Sequence, residues 1–166
     1  MNFKIVIRMP RRQVVIGRKT HAKGETFELE KKDRYFLNVS LMSLKTRRDY
    51  DIGRGGEFFF RVHRKGELRG RRSPDHGQIE LMENQVFEAR QDFTLWTEFI
   101  RLKQGDPKEV NLHIKLFEHD LIKNEKIIDE HIAIKLGMAQ AKYLVIEDKK
   151  GNTKAKLKIT SARTRF

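Results

Sequence analysis

A chain of 166 residues, 38% hydrophobic and 36% charged, is long enough to bury a core, too apolar for a disordered chain and more charged than an average globular domain. It has no cysteine, which removes disulfides and thiolate catalysis and leans towards a reducing compartment. The net charge of +13 is uneven: residues 1–72 hold 20 Lys and Arg against 8 Asp and Glu, residues 73–166 hold 16 against 15, and such asymmetry suits an oriented contact with an acidic partner.

No apolar run reaches the length of a membrane span. The opening MNFKIVIRMPRR lacks the apolar stretch and small-residue cleavage site of a secretory signal. The expectation is a cytoplasmic protein, peripheral where it meets a membrane. Residues 1–34 are expected as a basic N-terminal arm or hairpin, with strands at 3–8 and 13–17 on either side of Pro10. Residues 35–166 are expected as one β domain.

Along that domain the dominant period is two. Segments 37–44, 58–63, 78–82 and 93–102 read as strands, followed by 109–117, where Val110, Leu112, Ile114 and Leu116 alternate with Asn111, His113 and Lys115. Ile132, Ile134 and Leu136 repeat the pattern, as do Ala155, Leu157 and Ile159 among Lys154, Lys156 and Lys158. One apolar and one polar face per segment is the mark of half-buried antiparallel strands. Turn signals separate them at 53–56 (GRGG), 65–66 (KG), 73–77 (SPDHG), 105–107 (GDP) and 150–152 (KGN). Helix is expected at most as a short turn at 138–142. Strands of this length and spacing predict an all-β antiparallel sandwich.

Catalytic schemes find little support. His21, His63, His76, His113, His119 and His131 show no metal-ligand spacing on a shared element, and His113 reads as an ordinary surface histidine. The GRGG stretch precedes a strand and carries no Lys-Ser/Thr to hold a nucleotide phosphate. No serine sits in a nucleophile elbow. A non-catalytic protein is expected.

Three patches then stand in order. Asp51 and Glu57, six apart, lead into Phe58, Phe59, Phe60, Arg61 and Val62; Trp96, Thr97, Glu98 and Phe99 follow; a clean strand then ends at Glu118, His119 and Asp120, before Asn124 and Glu125. This order resembles the C-two (C2) domain of protein kinase C and many lipid-binding proteins, over roughly residues 35–162. The resemblance implies an eight-stranded antiparallel sandwich, here with a short N-terminal strand extension. It also implies that loops at one end hold calcium against lipid headgroups, through Asp51, Glu57, Glu118 and Asp120, with Asn124 or Glu125 as further candidates. Calcium needs six to eight hard oxygens. Two positions expected as Asp are Glu, and Lys126 falls where the last Asp belongs. No cofactor is therefore expected, and calcium binding no tighter than about millimolar.

The resemblance implies a second anionic-ligand site, a polybasic face on the strands after the first loop. Arg61, Arg64, Lys65, Arg69, Arg71 and Arg72 occupy that stretch, with His63. Each cation near an anionic leaflet contributes about 1 kcal/mol. The expected partner is an anionic phospholipid surface or an acidic protein. The alternative is a nucleic acid held by the same charges, with Phe59 as the stacking candidate because Phe58 and Phe60 share the core face with Val62. Trp96 is expected in the core.

Overall fold

Alternation becomes strand nearly everywhere it occurs. The computed structural model describes residues 33–50 and 55–164, and among these there are nine strands and no helix. The first sheet contains β1 (Asp33–Thr46), β5 (Val86–Leu102), β8 (Lys142–Glu147) and β9 (Thr153–Arg163), in the order β5-β1-β9-β8. The second contains β2 (Gly56–Arg64), β6 (Glu109–Glu118) and β7 (Glu125–Lys135), with two short strands, β3 (Arg71–Ser73) and β4 (Ile79–Leu81), on the free edge of β2. Every pairing is antiparallel. β4 pairs with residues 56–58 of β2 and β3 with residues 60–62. The two share one edge position, so nine strands fill the eight places of the expected sandwich.

The core lies between the sheets. Phe58, Phe60 and Val62 from β2, with Leu112, Ile114 and Leu116 from β6, face Leu37, Val39 and Leu41 from β1 and Leu157 and Ile159 from β9; all are buried. Burial of each such side chain stabilises the fold by about 1.5–3 kcal/mol relative to leaving it in water. In β1 the buried set changes parity, from Leu37, Val39 and Leu41 to Leu44 and Thr46. The cause is an irregularity at Met42, which also breaks the register with β5 and β9. One extra residue there re-aims every following side chain.

Gly55 of the GRGG stretch serves this geometry. It has φ 81°, and a Cβ there would lie 2.5 Å from the Leu81 carbonyl oxygen. The close approach of β4 therefore requires glycine. Residues 138–141 form a bend rather than a helical turn, and Lys142 begins β8. Strand β8 has no period-two signal because Leu144, Val145 and Ile146 are consecutive apolar residues. Most of the expected N-terminal arm, residues 1–32, lies outside the described residues, and Asp33 and Arg34 begin β1.

Candidate functional site

Directly paired residues of antiparallel strands point to the same face. The outer face of the second sheet can therefore be read as rows across its strands. His63, His113 and His131 form one row; Arg72, Arg61, Lys115 and Asp129 form the next; Phe59 and Phe117 come third, beside Lys126. Phe59 and Phe117 stack with centroids 5.3 Å apart, under the Arg72 guanidinium at 4.5 Å and the Arg61 guanidinium at 5.6 Å from the Phe59 ring. Phe59 is in consequence 2% exposed, although it lies on the outer side. It cannot serve as the expected stacking platform, because its faces are already occupied.

The six cations expected in one patch are divided by strand parity. Arg61 is exposed on the outer face, and Arg72 beside it donates to the carbonyls of Pro74 and Gly77, binding loop 74–78 to the sheet. Arg64 pairs with Leu112 and so points inward, where its Nη1 meets Glu98 Oε1 of the opposite sheet at 2.8 Å. Arg71 pairs with Val62 and lies on the other side of its strand from Arg72. Lys65 and Arg69 are exposed in the β2–β3 loop.

The carboxylates chosen for calcium are divided in the same way. Glu118 pairs with Phe58, faces the core and is 4% exposed, whereas Glu57 lies on the outer face opposite Glu80. Asp120 is exposed and accepts the Ile122 N–H on Oδ1 at 3.3 Å. Asp51 lies outside the described residues. Arg48 is paired with Glu125 at 3.4 Å, and Lys126 with Asp129. Glu57 and Glu118 therefore project from opposite faces of adjacent strands.

The histidine row is the cluster that single-element spacing could not reveal. His113 Nδ1 and His63 Nε2 are 3.1 Å apart, the His113 and His131 rings stack with centroids at 3.8 Å, and His113 Nε2 contacts Asp129 Oδ1. Asp129 Oδ2 accepts from Lys126 Nζ. Burial alone would push the Asp129 carboxyl up; the hydrogen bonds and charges of Lys126 and His113 outweigh it and bring the pKa to about 2. His63 is pushed down, first by burial and then by the positive charges of His113 and Lys115. The signal in the sequence was the outward parity of each histidine, and cross-strand register supplied the rest.

A second basic face covers the first sheet. Lys154, Lys156 and Lys158 project from β9 beside Lys45, Ser43 and Ser40 of β1, with Arg34 and Arg101 paired farther along. Aromatics are interleaved here: Phe99 is 71% exposed and packs on Phe36 at 5.0 Å, and Lys156 lies over the exposed Tyr143 ring. The loops carry a different feature. Leu68 at the β2–β3 loop is fully exposed, and Leu121 and Ile122 at the β6–β7 loop are 98% and 95% exposed. These tips lie at opposite ends of the second sheet. Exposed Lys65 and Arg69 flank Leu68, and exposed Lys123 follows Ile122.

No protein-family model matches the sequence, and no curated protein is similar to it. Solved structures are similar in fold. A C2 domain of plant extended synaptotagmin 1 is 13% identical, with 79% of this chain covering 96% of that one at a TM-score of 0.49. A C2 domain protein from Ramazzottius varieornatus is 11% identical, with coverages of 80% and 90% and a TM-score of 0.46. Human GIVD cytosolic phospholipase A2 reaches a TM-score of 0.52 at 9% identity, over 80% of this chain. The match spans 17% of the phospholipase chain, and at such identity the likeness is one of fold alone. The chain folds as an antiparallel β-sandwich, a fold it shares with the matched part of the phospholipase.

Proposed function

We propose that the domain is a non-catalytic docking module that lays its second sheet and flanking loop tips on an anionic phospholipid surface, without tight calcium binding. The observation that carries this reading is the exposure of Leu68, Leu121 and Ile122 at loop tips next to cations. Large apolar side chains held in water gain by entering a headgroup boundary, and neighbouring lysines and arginines gain from anionic lipid. Arg61 and Lys115 lie between the two loops on the outer face, with Lys65 and Arg69 at one end. No helix among the described residues is long and apolar enough to cross a membrane. The division of Glu57, Glu118 and Asp120 supports attachment that does not depend on calcium.

Vesicle cosedimentation tests the electrostatic part. Replacing Arg61, Lys65, Arg69 and Lys115 by Ser should weaken binding to phosphatidylserine vesicles at least tenfold at about 1 kcal/mol per cation. Chelator should leave it unchanged. Undiminished binding by the folded variant rejects this face.

A second reading rests on the first sheet, where Phe99 and Tyr143 are interleaved with Arg34, Arg101 and Lys158. Aromatics among cations on an open sheet suit single-stranded nucleic acid. Tight, salt-sensitive binding of an oligonucleotide that Phe99→Ala abolishes would favour this reading.

A further inference from the structure

We propose that His113, His131 and Asp129 form a binding site for a Zn²⁺-class dication on the outer face of the second sheet, with His63 and Lys126 as its supporting groups. The ligand atoms of the three residues lie within 4.8 Å of one another. A tetrahedral zinc with bonds of about 2.0–2.1 Å needs ligand atoms about 3.3–3.4 Å apart. His113 Nε2 and Asp129 Oδ1 are already in contact. To admit the ion that contact must open by about an ångström and the His131 ring, stacked on His113 and exposed at the surface, must turn.

The supporting groups are already in place. A metal-ligating imidazole ordinarily donates its other N–H to a neighbour, which fixes its tautomer and orientation. His113 Nδ1 lies 3.1 Å from His63 Nε2 and makes that contact. Asp129 presents Oδ1 to the cluster while Lys126 holds Oδ2, so the carboxylate is oriented from behind. Two imidazoles and one carboxylate suit zinc and neighbouring transition metals; calcium and magnesium prefer all-oxygen sets. Three protein ligands at a surface leave the fourth position to water. The bound ion would join β6 to β7, since His113 lies on the first strand and His131 and Asp129 on the second.

Neither the fold likeness nor the lipid reading enters this assignment, so it stands or fails separately. The test uses the full chain without an added histidine tag. Zn²⁺ affinity is measured against a chromophoric chelator, and Co²⁺ serves as the spectroscopic probe. One equivalent should bind, Co²⁺ should show the intense visible bands of a tetrahedral site, and excess Ca²⁺ should not displace Zn²⁺. His131→Gln and Asp129→Asn, both at surface positions, should each remove that equivalent. His63→Phe should weaken it about tenfold or more, as loss of an outer-shell partner does. Replacing His21, His76 and His119 together by Gln should leave it intact. Absence of a one-equivalent site, its survival in folded His131→Gln, or its loss in the triple variant overturns the proposal.

Discussion

Arg64 of β2 and Glu98 of β5 join the two sheets through a contact of 2.8 Å, and Glu98 also accepts the Trp96 indole N–H at 3.3 Å. The three side chains form a strap at the open side of the sandwich, where β5 lies against the β3–β4 edge. Arg64 is therefore occupied with packing and ion pairing. Partly exposed pairs contribute about 0–1 kcal/mol, so Arg64→Ala should destabilise the fold by about 1 kcal/mol in urea unfolding. The same variant should bind anionic vesicles nearly as wild type does. Trp96→Ala should cost about 2 kcal/mol, below the 3–5 kcal/mol of a fully buried aromatic, because Trp96 is half-buried on an edge strand.

Arg72 should also act on stability. Its guanidinium covers Phe59 at 4.5 Å and donates to two backbone carbonyls, those of Pro74 and Gly77. A cation over an aromatic ring contributes about 0.5–2 kcal/mol, and each charged hydrogen bond about 1.5–3 kcal/mol. Arg72→Ala should lower stability by about 2–3 kcal/mol in a denaturant titration. Arg72→Lys should recover little, because a single ammonium lacks the planar fork that reaches both carbonyls while stacking.

Asp33 predicts an acid-side dependence. It begins β1, accepts from Arg163 at the end of β9 and pairs with Lys108 at 3.3 Å. Desolvation pushes its carboxyl up, but the Lys108 hydrogen bond and the charges of Arg163 and Lys108 outweigh it, so its pKa lies below its usual value. A carboxyl depressed in the folded state contributes stability that is present above the unfolded value, about 3.9, and is lost as pH falls through the folded value. Urea unfolding from pH 5 downward should therefore show a loss in the wild type that is smaller in Asp33→Asn.

The sandwich was legible in the sequence because period-two burial is a local property: Val110 to Leu116 and Ala155 to Ile159 face the core as their alternation requires. The placement of site residues was less legible because it depends on register. Arg61 and Arg64 are three apart on one strand and therefore face opposite ways, which a count of cations over residues 61–72 cannot show. His63, His113 and His131 are separated by 50 and 18 residues and meet only through strand pairing. Lys154, Lys156 and Lys158 are visible in the sequence as an alternating set, yet the charge excess of the N-terminal half points to residues 61–72 instead. Nine of the 20 cations in that half lie in residues 1–32, outside the described structure.

The most direct test of membrane docking concerns the loop tips. Leu68, Leu121 and Ile122 make no core contribution at their exposures, so Leu68→Ser, Leu121→Ser and Ile122→Ser combined should leave the melting temperature unchanged. Vesicle partitioning is the measurement, with phosphatidylserine and neutral vesicles compared in chelator. Burial of an apolar side chain gives about 1.5–3 kcal/mol, and 1.4 kcal/mol is tenfold in affinity. The triple variant should consequently bind anionic vesicles at least about tenfold more weakly, and wild type should prefer them to neutral ones. Equal partitioning of the triple variant and wild type, or no vesicle binding by the wild type, would contradict the account.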